Sequence, residues 1–250
     1  MPFFACLRSL LLLLGIIGVI WPLEALPAFW AAVPAKEPIA RILAGDRFKP
    51  GAVNGMGALL QAQARPTIAR NDVARAEALI RLRIAEEATG RMSAEEADHE
   101  AAVADTKIRS SLEFNPADSF LWLMLYSMDT AHRGFDEKTL EYLSQSYATG
   151  PIEGWIALRR NTLALATFSN LTGTMQQRVV SEFTGMVDSE FTDAAALNLM
   201  GVGWMQRERL LASIAIVNVV PRESFARRLA KEGLKVRVPG VEIDERTWRQ

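Results

Sequence analysis

Two short patterns in this chain have the residue types and spacing for metal chemistry. Glu96-Ala97-Asp98-His99 and Asp129-Thr130-Ala131-His132 contain the only two histidines, each preceded by a carboxylate one helical turn earlier. Carboxylate-bridged metal bundles use Glu-x-x-His from two helices and one further glutamate from each of two others, because all the ligands must point into a single core. Here Asp129 stands where the second motif needs glutamate, and no additional glutamate sits within an otherwise apolar helix. The simpler expectation is a solvated helix face over Glu95–Glu100, with His132 in a last helical turn where it complements the helix dipole.

Other chemistry is sparser still. The single cysteine, Cys6, lies in an apolar leader, so the rest of the chain has no disulfide, thiolate nucleophile or cysteine metal ligand. Serine, histidine and aspartate are all present without the Gly-x-Ser-x-Gly turn that exposes a nucleophile. Gly55-Met56-Gly57 is too short to cradle a phosphate, and Asn170-Leu171-Thr172 reads as a loop between helices. These residues predict a non-enzymatic chain with no catalytic, cofactor-binding or metal-binding position. The net charge of −1 lacks the basic excess of a nucleic-acid binder.

The leader sets the compartment. Arg8 precedes an apolar run from Leu10 to Leu23, and Trp21, Pro22, Pro27, Trp30 and Pro34 follow. A spanning helix needs about 20 apolar residues, and the nearest signal-cleavage pattern, Val33-Pro34-Ala35, lies far beyond the apolar core. An uncleaved anchor is therefore expected over residues 1–35, with Trp21 and Trp30 at interfacial depth. Lys36, Arg41, Arg47 and Lys49 after the run would favour a cytoplasmic body by charge count. The export-like leader favours the opposite side, which is the reading taken here.

Beyond residue 35 the pattern is helical almost throughout. Prolines 34, 38 and 50 make residues 36–70 a linker with short helices. A body over 71–233 is predicted from apolar stripes and caps: Val73–Ala88 closed by Gly90, then a helix opened by the Ser93-x-x-Glu96 capping box and running to Phe114. Asp118 caps Ser119–His132, with Gly134 as its stop. Asp136 caps a helix to Ala148. Glu153–Phe168, Thr174–Val187 (with Thr174-x-x-Gln177 in capping-box form) and Asp193–Glu208 follow. Ser213–Val220 fits a buried strand or a helix end. Pro221 suits the first turn of Arg222–Glu232, and 234–250 is an extended tail. The fold class is all-α: an N-terminal transmembrane helix, then antiparallel helix pairs.

The separation of Pro116 and Pro151 is close to the roughly 34-residue period of a tetratricopeptide repeat. Trp122, Leu125 and Tyr142 fall near its aromatic and leucine positions, whereas Tyr126 and Lys138 stand where small residues are usual. The expected body is thus tetratricopeptide-like or an irregular bundle. Trp122, Tyr126, Trp155 and Arg159 are the candidates for partner contact. The basic residues Arg222, Arg227, Arg228, Lys231, Lys235 and Arg237 read as a solvated face offset by Glu223 and Glu232.

One resemblance adds to this. The run Asn115-Pro116-Ala117-Asp118, the helix holding Trp122, and Ser146-Tyr147-Ala148-Thr149-Gly150-Pro151-Ile152-Glu153 resemble the VpsP-like bacterial polysaccharide-biosynthesis accessory proteins. Arg159, Arg160, Arg178, Val179 and Phe183 continue it in order and spacing. The resemblance covers about 104–187 and implies an envelope protein encoded with exopolysaccharide or capsule assembly machinery; with the leader, the expectation is a single-pass bacterial inner-membrane protein with a periplasmic body. Its partners would be the membrane and the proteins of exopolysaccharide synthesis or export, with no small-molecule cofactor. Two alternatives remain: a metal-dependent polymer-modifying enzyme using Glu96/His99 and Asp129/His132, and a general envelope interaction module.

Overall fold

A computed structural model describes residues 14–16, 18, 70–151, 153–234 and 236–242. The expected anchor over 1–35 and linker over 36–70 lie outside the described residues, apart from the helical residues 14–16, 18 and 70. No helix among the described residues is long and apolar enough to cross a membrane. The described chain is helical, with no strand among its residues. It divides into two compact units, 1–116 and 117–250.

The described part of the first unit is a hairpin of α1 (Arg70–Thr89) and α2 (Ala94–Phe114). Glu77 pairs with Lys107 at 2.8 Å and Arg81 with Glu100 at 3.8 Å, which fixes the helices as antiparallel. Ala76, Leu79 and Ile80 bury on α1, and Ala104, Ile108 and Leu112 bury on α2. The predicted capping box is present: Ser93 Oγ accepts from the Glu96 amide, and the Glu96 carboxylate accepts from the Ser93 amide.

The second unit is a succession of helix pairs. In the first, α3 (Ser119–Arg133) is capped by Asp118, and α4 (Glu137–Thr149) is capped by Asp136 with Thr139 reciprocating. Gly134, at φ 80°, ends α3 in a conformation that L side chains rarely adopt. Gly150 closes the pair for a different reason: a Cβ there would lie 2.3 Å from Ser119 Oγ, so only glycine lets the end of α4 meet the start of α3. Then come α5 (Gly154–Ala166) and α6 (Gly173–Asp188), joined through a 3-10 turn at Phe168–Asn170. The cap of α6 is Thr172, whose hydroxyl accepts from the Met175 amide, rather than the Thr174 box expected from sequence.

The predicted helix Asp193–Glu208 is broken. It forms α7 (Thr192–Met200), a 3-10 turn at Trp204–Gln206 and α8 (Arg207–Ser213). The break needs glycine, because a Cβ on Gly203 would meet the Asn198 carbonyl oxygen at 2.8 Å, Leu210 Cδ1 at 2.9 Å and, from α5, Leu165 Cδ1 at 3.3 Å. Between Ser213 and Val220 the chain makes a 3-10 turn at Ile214–Ile216, so the helix-end alternative holds. The last helix, α9 (Val219–Lys231), has Pro221 in its first turn. It packs on α7 and α6, with Phe225 edge-on to Phe183 at 5.9 Å. The described part of the tail returns onto α9: Val238 is buried, and Arg222 Nη1 donates to the Pro239 carbonyl at 2.5 Å.

Candidate functional site

The core stripe of α5 runs through Ile156, Ala157, Ala164 and Leu165, and it carries Arg160 and Asn161 in its middle. Both are fully buried. An arginine in such a place demands partners for all of its donors, and all five N–H groups find them. Nε and Nη2 donate to Glu182 Oε1 at 2.9 and 2.6 Å, Nη1 to the Ser146 carbonyl at 2.6 Å and to Ser146 Oγ at 3.2 Å, and Nη2 to the Gly150 carbonyl at 2.9 Å. The guanidinium also lies 4.1 Å from the centre of the Tyr147 ring. A cation on the last carbonyls of α4 is matched to the negative end of that helix.

The second carboxylate oxygen of Glu182 accepts from Tyr147 Oη at 2.6 Å and from Asn161 Nδ2 at 3.4 Å. Asn161 Nδ2 also donates to the Val179 carbonyl, and Asn198 Nδ2 on α7 donates to Asn161 Oδ1 at 3.0 Å. Thr162 Oγ1 completes the chain by donating to Asn198 Oδ1 at 2.6 Å. One polar network thus locks α4, α5, α6 and α7 together. Burial pushes the Glu182 carboxyl up from the usual carboxylate range against the pull of Arg160. Burial, followed by the charge of Glu182, pushes the Tyr147 phenol well above its usual value.

This lock forms one wall of an open cleft of about 480 Å³. Tyr147 and Pro151 border it from α4 and the following turn, Ala157 from α5, Arg178 and Glu182 from α6, and Phe191 from the turn after α6. That last turn is strained. Glu190 has φ 61°, the left-handed region, and Phe191 N donates back to the Met186 carbonyl at 2.9 Å.

The residues singled out from sequence are placed as follows. Trp122 is half-buried and stacks on Tyr142, with ring centres 6.0 Å apart. Tyr126 is 1% exposed, inside the unit, and burial raises its phenol. Trp155, 42% exposed, tilts against Phe120 at 5.1 Å, and Arg159 is exposed one turn further along α5. Of these four, Trp155 and Arg159 share an outer face of α5. His99 is exposed on α2 of the first unit and His132 is exposed at the end of α3 in the second. Glu96 is engaged by its cap, and Asp129 lies 4.0 Å from Arg133. Among the described residues no three His, Cys, Asp or Glu side chains gather where they could hold a metal ion. Several residues of the basic run are drawn into the unit's own contacts. Arg227 pairs with Glu223, and Arg228 with Asp193 and Glu232; Lys235 lies outside the described residues.

Sequence reasoning met Arg160 only within a resemblance and did not reach Glu182 or Asn161. The signal was there in the periodicity: Arg160 lies one turn from both Ile156 and Ala164, and Glu182 sits between Val179, Phe183 and Met186, positions reserved for the core. No family model matches this chain, and neither the curated proteins nor the solved structures provide a match.

Proposed function

We propose that this chain is a non-enzymatic scaffold of the bacterial cell envelope that serves exopolysaccharide synthesis or export. In this reading the apolar leader, Leu10–Leu23, anchors it in the inner membrane as a single span and the helical units face the periplasm. The second unit acts as a tetratricopeptide-like array that presents a docking cleft to partner proteins. The observation that carries the docking role is the polar lock of Arg160, Glu182, Tyr147 and Asn161. It holds four helices rigidly beside an open cleft, and preorganised walls reduce the ordering cost of receiving a partner segment. Two consecutive helix pairs opening at Ser119 and Gly154, followed by α7 packed on α9, support the repeat-like reading. The resemblance of Asn115–Asp118 and Ser146–Glu153 to VpsP-like proteins supports the pathway.

Deletion of the gene tests the pathway, with secreted polymer measured for yield and chain length. The expected result is a change in at least one of these, restored by the wild-type gene. Unchanged polymer in the deletion strain would refute the assignment. Crosslinking in intact cells, followed by identification of captured proteins, tests the scaffold role. Envelope assembly proteins should be recovered with the wild-type chain.

A further inference from the structure

The geometry points to the cleft beside α6 as a receptor for an extended peptide segment of a partner protein, one carrying a carboxylate side chain and a bulky apolar side chain four residues apart, on the same face of the extended chain. This rests on the scaffold reading and specifies the chemistry of what docks. The first ground is charge. Among the described residues Glu182 is the only carboxylate in the cleft lining, and Arg160 already matches it at 2.6 Å. Arg178 is exposed at the cleft, and among the described residues its guanidinium takes part in no hydrogen bond or ion pair. The cleft therefore offers one unmatched positive charge, suited to a carboxylate.

The second ground is polarity along the helix. Arg178 stands toward the start of α6, whereas Asp188 and Glu190, both exposed, flank the lining residues Ser189 and Phe191 at its far end. An acidic group is attracted to one end and repelled from the other. The far end instead provides Met186 and Phe191, the latter 37% exposed, to receive an apolar side chain. Arg178 and Met186 are separated by about 12 Å of helix axis, which an extended peptide crosses in about three to four residues.

The third ground is the sparseness of the remaining polar groups. Ser181 and Gly185 lie between those ends on one face of α6, and Ser189 caps the helix at the far end. Two hydroxyls can meet a peptide's alternating backbone groups, but they are too few for a saccharide, whose hydroxyls each need a partner. Gly185 has nothing within 4 Å of where a Cβ would stand, so the floor of the cleft is open there.

The probes are the fluorescein-labelled peptides Ser-Glu-Ser-Ser-Ser-Phe-Ser and Ser-Phe-Ser-Ser-Ser-Glu-Ser, because the cleft fixes the spacing and not the chain direction, and an even spacing puts both side chains on one face. Their anisotropy is followed on titration with the purified full-length chain. At least one order should bind, and replacing its Glu by Gln should weaken binding tenfold or more, as should Arg178→Gln. Gly185→Leu should abolish binding while leaving the melting temperature unchanged or higher, since leucine is the better helix former and its Cβ has nothing within 4 Å at this exposed position. Failure of both peptides to bind, equal binding by the Gln peptide, or unaltered binding by Arg178→Gln would each overturn the inference. An oligogalacturonide that binds where the peptides do not would make the cleft a saccharide site and overturn it too. If the peptides fail while crosslinking still captures envelope proteins, the scaffold reading stands and docking occurs on another surface.

Discussion

The two units use charge in opposite ways. In the α1–α2 hairpin the ion pairs lie at the rim: Glu77 with Lys107, Arg81 with Glu100, Arg83 with Glu86 and Glu87, and Asp105 with Arg109, every side chain a fifth or more exposed. Between the helices the buried side chains among the described residues are apolar, Leu79 and Ile108 among them, apart from Ser111, and none is charged. In the second unit the decisive pair is internal, with Arg160 at 0% and Glu182 at 5% side-chain exposure. Rim pairs adjust stability by small amounts and can be exchanged singly. A buried pair is conditional, because each charge is tolerable only while every partner remains in place.

The largest effect follows from breaking that condition. Arg160→Met strands the Glu182 carboxylate and leaves the Gly150 carbonyl without its donor, so the second unit should lose about 3–5 kcal/mol. Urea denaturation followed by tryptophan fluorescence reads this, since Trp122, Trp155 and Trp204 all lie in that unit. Combining Arg160→Met with Glu182→Leu removes both charges and should recover part of the loss. A double variant no more stable than Arg160→Met alone would show that the charge balance is not the cause. Arg160→Lys should also fail, because an ammonium cannot reach Glu182 and both α4 carbonyls with one fork.

Acidification should separate the units by sign. Hydrogen bonds from Ser93 hold the Glu96 carboxyl below its usual value of 4.5, so its contribution is present above that value and lost as pH falls through the folded value. Glu182 is raised above 4.5, so the second unit binds its proton more readily when folded. Its contribution is complete below 4.5 and fades as pH rises through the folded value. Tyr147, raised well above 10.0, adds a further decline in alkali. Hydrogen exchange measured by peptide fragments should show α2 protection rising with pH only below 4.5 and level above it, and α6 protection falling as pH rises above 4.5. Glu96→Gln and Glu182→Gln should each flatten the slope of their own unit alone.

What was legible in the sequence was local. Ser93 with Glu96, Asp118 and Asp136 announce helix starts because the cap is satisfied within one turn, and all three form. The all-helical class followed from stripes such as Ala76, Leu79, Ile80 and Ile84, all of which are buried. What escaped depends on neighbours distant in sequence. Gly203 must lack a side chain in part because Leu165 of α5 lies against it, and Gly150 is needed because Ser119 arrives there. Arg160 reads as an ordinary helix residue until Ser146, Gly150 and Glu182 surround it. The cleft was illegible for the same reason, since its walls come from three helices and two turns.

A smaller effect lies at the strained turn, within the second unit only. The ends of α6 and α9 share one hydrogen-bond pattern: Phe191 N to the Met186 carbonyl at 2.9 Å and Leu234 N to the Leu229 carbonyl at 3.0 Å. The left-handed position is Gly233 in α9 and Glu190 in α6, at φ 78° and 61°. Glu190→Gly should therefore stabilise by about 0.5–1 kcal/mol, and Gly233→Ala should destabilise by a similar amount. Thermal melts of both variants check this, and a destabilised Glu190→Gly would mean that the side chain has a role outweighing the strain.

The smallest effect belongs to the first unit. The closest link between α1 and α2 by charge is Lys107 Nζ to Glu77 Oε1, at 2.8 Å with the two side chains 36% and 20% exposed. Such a pair is worth up to about 1 kcal/mol, and much of it is lost to screening at high salt. Lys107→Ala should therefore reduce hydrogen-exchange protection in α1 and α2 slightly at low salt and hardly at all in 1 M salt. Arg160→Met should weaken the second unit to the same degree in both conditions, because counterions do not enter a fully buried pair. If salt rescued Arg160→Met as readily as it masks Lys107→Ala, the α5–α6 pair would be exchanging with solvent, and the contrast between the units would be one of degree.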